Sequence, residues 1–165
     1  MGEHQNHLWG RCWRGNLAKV REALQAGADP NTRVPITDST CLMVAISRKQ
    51  EEVVDLLLAQ PGIEVNFANI ANVTALHWAC STGNVAIISK LLAVPGIQLN
   101  ATSKYRRVPI MEAIISGNTD AVRLMAAVEE VDLDARDFSG SSLEDLVNRW
   151  ARVDSLVVVK AHEQY

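Results

Sequence analysis

The side chains of this 165-residue chain with the most scope for metal or nucleophilic chemistry are its three cysteines and the histidines at 4, 7 and 77. Cys12, Cys41 and Cys80 are widely separated, and no two fall at C-x-x-C spacing. An odd count leaves one thiol unpaired in any disulfide scheme. Each is expected to pack as a small buried hydrophobe. His4 and His7 sit with Cys12 nearby in a polar, unanchored tail, which makes a poor metal centre. No nucleophile–base pair, close carboxylate pair, Gly-rich phosphate loop or metal constellation is legible. Catalysis is not expected, and neither is a cofactor or a metal.

Composition points to a folded, soluble chain. At 48% hydrophobic residues it can bury a sizeable core, and a net charge of −3 gives no reason to expect nucleic acid or an anionic membrane. No apolar run approaches the ~20 residues of a membrane helix. The N-terminal stretch lacks the basic-then-apolar order of a signal peptide, so a reducing, cytoplasmic compartment is expected.

The elements that would position any site repeat along the chain. VTALHWACSTGNVAIISKLLAVPGIQLN, from Val73 to Asn100, reads as two short amphipathic helices separated by Gly83-Asn84 and stopped by Pro95-Gly96. Leu76, Ala79 and Cys80 mark the inner face of the first; Val85, Ile88, Leu91 and Leu92 mark that of the second. Leu8, Leu42, Leu76 and Ile110 recur every 34 residues, and Leu143 follows 33 later. The units close on Asn31, Asn66, Asn100 and Asp134. A fixed period of this length means stacked units, each too apolar to stand alone. Leu42, Leu57, Leu76, Leu91, Ile110 and Leu124 should be buried, as should Leu17, Val20 and Leu24 on the inner face of the first unit's second helix.

Thr74-Ala75-Leu76-His77, followed by Ala79-Cys80 and Gly83, resembles the T-P-L-H-x-A-A-x-x-G core of the ankyrin repeat. Gly27-Ala28-Asp29-Pro30-Asn31 is similar to that family's closing turn. The resemblance covers the whole chain. It implies an all-α solenoid of helix–turn–helix units joined by hairpin-like finger loops. The units would be an N-terminal capping repeat (1–31), internal repeats (32–66, 67–100 and 101–134) and a C-terminal capping repeat (135–165). The second helix of the last would carry Val153, Leu156 and Val159. The resemblance also implies protein recognition, and gives His77 a structural role bracing neighbouring repeats. Arg11 departs from the pattern, standing where later repeats have Ala45, Ala79 and Ala113. It is either a solvated cap residue or a deliberate change.

The fingers depart further. Where the family places Asp and then Gly, the internal fingers have Pro35 and Asp38, Asn69 and Asn72, and Ser103 and Arg106; only Asp137 and Gly140 keep both. Asp and Asn tolerate the left-handed backbone region, and Arg does so less readily. Framework kept and fingers varied is the expected distribution for a surface shaped by a partner. Val34, Ile36, Thr37, Ile70, Ala71, Val73, Lys104, Tyr105, Arg107 and Phe138 on the fingers are candidate partner-binding residues. With them go Trp13, Arg14, Arg48, Trp78, Ile115, Arg149 and Trp150 on the first helices. Their aromatic and Arg content suits a binding hot spot, and Trp13 and Trp150 have the alternative of plugging gaps under the caps. Arg14, Arg48, Lys104, Arg106, Arg107 and Arg149 outweigh Asp38, Glu112 and Asp137, which points to a folded protein with an acidic patch as partner. The chain alone is expected to be monomeric. A natural adaptor and a binder selected from a library on an ankyrin scaffold both fit.

Overall fold

The structure, a computed structural model, describes residues 7–150. Among these are nine helices: α1 (Leu8–Arg14), α2 (Leu17–Gln25), α3 (Cys41–Ser47), α4 (Glu51–Leu58), α5 (Ala75–Thr82), α6 (Val85–Leu92), α7 (Pro109–Ser116), α8 (Thr119–Ala126) and α9 (Leu143–Arg149). They pair as α1/α2, α3/α4, α5/α6 and α7/α8. The first helices stack as α1–α3–α5–α7–α9, with the second helices α2–α4–α6–α8 behind them. The second helix expected for the C-terminal unit, over Val153, Leu156 and Val159, falls outside the described residues, as does His4.

Side chains at one repeat position form rows through the stack. Leu8, Leu42, Leu76, Ile110 and Leu143 are all buried in one continuous cluster. Several expectations need correcting. Leu124 is only half-buried, and Met125 beside it fills the core; likewise Val85 is 38% exposed while Ile87 is fully buried. The first is a shift of one residue, ~100° around the helix, and the second a shift of two. Leu17 and Leu24 are half-buried, and Ala23 joins Val20 inside. Cys12, Cys41 and Cys80 are buried free thiols, as expected. The Cys41 thiol donates to the Thr32 carbonyl at 3.2 Å. The neighbouring Cys12 thiol and burial push Cys41 up, and burial pushes Cys80 up. Among the described residues no cluster of His, Cys, Asp and Glu could hold a metal ion. No helix among them is long and apolar enough to cross a membrane.

Three asparagines tie successive repeats together. Asn31 donates to the Gly62 carbonyl and accepts from Glu64 N–H, both at 2.9 Å. Asn66 bridges Gly96 and Gln98 in the same way, and Asn100 bridges Glu130 and Asp132. Each closing amide thus satisfies two backbone groups of the next repeat, which explains a residue choice the period alone only located. Arg11 resolves as a cap residue: its Nη1 donates to the Lys19 carbonyl at 3.0 Å, within its own repeat.

The helix-terminating positions 15, 49, 83 and 117 all have positive φ, and three are Gly. At Gly15 and Gly83 a Cβ would fall within 2.7 Å and 2.4 Å of Gln50 and Asn118, whose amides bond to the preceding repeat's carbonyls at Trp13, and at Cys80 and Ser81. Lys49 holds φ 56° with its side chain in place, and Asn84, the corresponding amide, turns instead to Glu51 at 2.9 Å. The left-handed conformation costs a non-glycine residue roughly 1–2 kcal/mol. Lys49→Gly should therefore raise stability by about 1 kcal/mol, read as a higher urea midpoint at unchanged m-value. Arg106→Gly, at φ 54°, should do the same. An unchanged or lower midpoint for both would show that these sites carry no strain.

Candidate functional site

The fingers keep the hairpin shape without the family's usual residues. Asp38, Asn72 and Arg106 occupy the left-handed region at φ 54°, 55° and 54°, where the absence of Gly drew attention. The first finger is pinned by an antiparallel bridge between Arg33 and Thr40 and an Arg33–Asp38 ion pair at 3.4 Å. In the next two, other side chains take over from the missing Asp. Asn69 Oδ1 accepts from the backbone N–H of Ala71 and Val73, and Ser103 Oγ from that of Arg107. Asp137, buried in the last finger, accepts from Ser139 and Ser141 in the same fashion. Turn chemistry was thus substituted rather than abandoned, a correction to the sequence reading.

Backbone bonds join the fingers to one another. Ile70 N–H points to the Thr37 carbonyl at 3.5 Å, Lys104 N–H donates to Ala71 at 3.0 Å, and Phe138 N–H to Tyr105 at 2.8 Å. Ile36, Ile70, Lys104 and Phe138 therefore form one row of tips, and Thr37, Ala71 and Tyr105 the row beside it. Among the described residues, the large apolar side chains left exposed are Trp13, Ile36, Ile70, Val85, Tyr105, Phe138 and Trp150. All but Val85 belong to the candidate surface. Val34, Ala71, Val73, Trp78, Arg107 and Ile115 are half-buried, and Thr37, Arg14, Arg48, Lys104 and Arg149 are exposed. Trp13, at 51% exposure, is no plug; the Arg48 guanidinium lies over its ring at 4.5 Å.

Two hollows share the Trp78 ring. One, of about 410 Å³, lies among Trp13, Val34, Thr37, Met43, Val44 and Trp78. The other, of about 200 Å³, is lined by Val73, Trp78, Tyr105, Arg107 and Glu112, among others. Arg107 lies 5.5 Å from the Tyr105 ring centroid and 3.7 Å from a Glu112 carboxylate oxygen. Burial raises the Glu112 carboxyl, and Arg107 partly offsets that. The Trp78 Nε1–H and Arg107 Nε–H are buried without a partner among the described residues. Arg149, the last residue of α9, donates to Ser141 at 3.0 Å; neither it nor Trp150, which follows the helix, lines these hollows, nor does Ile115, which packs on the core. The basic surplus of the surface thus narrows to Arg14, Arg48, Lys104 and Arg106, with Arg107 and Arg149 already engaged.

His77 is a brace. Its Nδ1 accepts from the Thr74 N–H at 3.1 Å, so Nε2 carries the proton and donates to the Arg107 carbonyl of the next repeat at 2.9 Å. Burial lowers its pKa below the ordinary 6.5, with the bond to Arg107 opposing. Below pH 6.5 the unfolded chain therefore takes up the proton first, and stability falls with pH until the lowered folded-state value is passed. His77→Gln should cost about 1–3 kcal/mol at neutral pH. That cost should shrink as pH falls through this window, because the variant lacks the proton-linked loss. Parallel urea titrations of both proteins check this, and a pH-independent difference would rule out the linkage.

The same architecture is found by sequence comparison: two overlapping stretches, residues 8–103 and 61–137, match the family profile for ankyrin repeats (3 copies). The chain belongs to the ankyrin repeat family. A relative, the Ankyrin repeat and KH domain-containing protein mask-1 of Caenorhabditis elegans, is 44% identical over 72 residues. That match covers 43% of this chain and 3% of that protein, so the chain spans only a small part of the relative's length. Ankyrin repeats generally mediate protein–protein interaction.

Proposed function

We propose that this ankyrin array binds a folded partner protein through its finger tips and the concave ends of its first helices, as a monomer in a reducing compartment. One observation supports this most. Among the described residues, six of the seven large exposed apolar side chains, all except Val85, lie on the proposed surface, at positions set by the repeat. Contiguous exposed apolar side chains rimmed by polar ones mark interaction sites. The residues concerned are those named from the sequence, from Trp13 and Arg14 at one end to Arg149 and Trp150 at the other. Unpaired Arg14, Arg48, Lys104 and Arg106 make an acidic patch the complement. Framework kept and fingers varied fits an adaptor fitted to one partner and also a binder selected on an ankyrin scaffold. A selected binder would differ from its parent almost only at this surface.

The test is a pull-down from lysate, with a control protein whose three internal fingers are replaced by ordinary Asp/Gly turns. A partner recovered by the natural fingers alone, and again as a purified pair, supports the reading. Equal recovery with both would overturn it.

A further inference from the structure

The concave face is uneven because its rows step sharply in side-chain size. Positions 10, 44 and 78 carry Gly, Val and Trp, while 13, 47 and 81 carry Trp, Ser and Ser. Val44 and Ser47 therefore form a floor with Trp13 and Trp78 at its sides. The resulting hollow of about 410 Å³ exceeds twice the ~150 Å³ cavity that accepts benzene. A second recess, of about 470 Å³, shares Trp13 and Ser47 and is lined by Arg14, Arg48 and Lys49. An apolar recess and a cationic one thus meet at a common wall.

The charges there are uncommitted. None of Arg14, Arg48 and Lys49 has an ion-pair partner among the described residues. Arg48 is held over Trp13, and Lys49 keeps its ammonium in a left-handed position where three other repeats have Gly.

We propose that these joined recesses take an acidic peptide segment of the partner protein. One large apolar side chain fills the hollow between Trp13 and Trp78, and Asp or Glu carboxylates within about three residues of it meet Arg14, Arg48 and Lys49. At ~3.3–3.6 Å per extended residue, such a spacing spans adjoining recesses. The cations gather at one end of an apolar hollow, which suits a few carboxylates better than the continuous phosphates of a nucleic acid. This rests on the protein-binding reading above and places the anchor in the N-terminal half of the surface.

The probe is a displayed library of random twelve-residue peptides, panned on the full chain, with the enriched sequences resynthesised. The expected consensus is Trp, Phe or Leu with Asp or Glu within three residues. Ser47→Trp, which places in the hollow the residue the first repeat carries at that position, should weaken binding at least tenfold. So should Arg48→Glu, an exposed change that leaves the core untouched. Glu52→Ala, exposed on α4 behind the concave face, should change affinity less than twofold, and melting curves establish that each variant is folded. No enrichment, a consensus without acidic residues, or binding indifferent to both variants would overturn the proposal. A single-stranded RNA oligonucleotide binding more tightly than the peptides would overturn it in favour of nucleic acid. Peptides that depend on Ile70 and Tyr105 but not on Ser47 or Arg48 would overturn this site while leaving the finger surface standing.

Discussion

Leu91→Ala lowers the stability of the array by about 2–5 kcal/mol, the range for truncating a fully buried leucine. Leu91 is fully buried on α6, within the cluster that runs through every repeat. The loss combines the transfer free energy of the removed atoms with a cavity that neighbouring repeats cannot close. Relaxation is limited because Asn66 and Asn100 tie the closing turn of this repeat to turns on either side. Leu124→Ala should cost less than Met125→Ala, following their observed burial. Urea unfolding measures these effects. A loss well under 1 kcal/mol for Leu91→Ala would mean that α6 is not packed as described. A lowered m-value would instead show that one end of the solenoid unfolds separately, since each repeat contacts only its neighbours.

For binding, the largest effects are expected from Ile70, Trp78 and Tyr105. Each truncated to Ala should lose about 2 kcal/mol or more of affinity for the partner, because aromatic and large apolar groups near the centre of an interface dominate its energy. Ile70 is 57% exposed and Tyr105 65%, so their losses should appear in binding with little change in stability. Trp78 differs. It packs partly on the core, so its truncation should also lower stability, and affinity must be compared under conditions where both proteins are folded. Arg48→Ala and Arg107→Ala should matter less, and more at low salt. Arg107 should be the weaker of these two, because Glu112 already offsets its charge. Calorimetric titration of each variant supplies the comparison.

The stacking and the strained turns were legible in the sequence because a 34-residue period lets equivalent positions be compared directly. Missing glycines at 38, 72 and 106 translate into positive φ at all three. The same comparison at 15, 49, 83 and 117 would have revealed Lys49, a signal present but unread. The inward phase of α6 and α8 was less legible: Val85-Ala86-Ile87-Ile88 and Leu124-Met125 offer adjacent apolar residues, and only packing selects among them. Asn69 and Ser103 escaped because their service as turn acceptors depends on geometry that residue type alone does not specify. The unpartnered Trp78 indole likewise belongs to the three-dimensional face and has no mark in the sequence.

The central claim is that the partner docks on the fingers and concave helix ends, and photo-crosslinking tests it most directly. A benzoylphenylalanine would be placed singly at Ile36, Ile70, Tyr105 and Phe138, and at Lys19, Glu52 and Arg123 on the second helices behind. The finger positions should cross-link to the partner and the second-helix positions should not. Cross-links from Lys19, Glu52 or Arg123, with Ile70 and Tyr105 silent, would contradict the account.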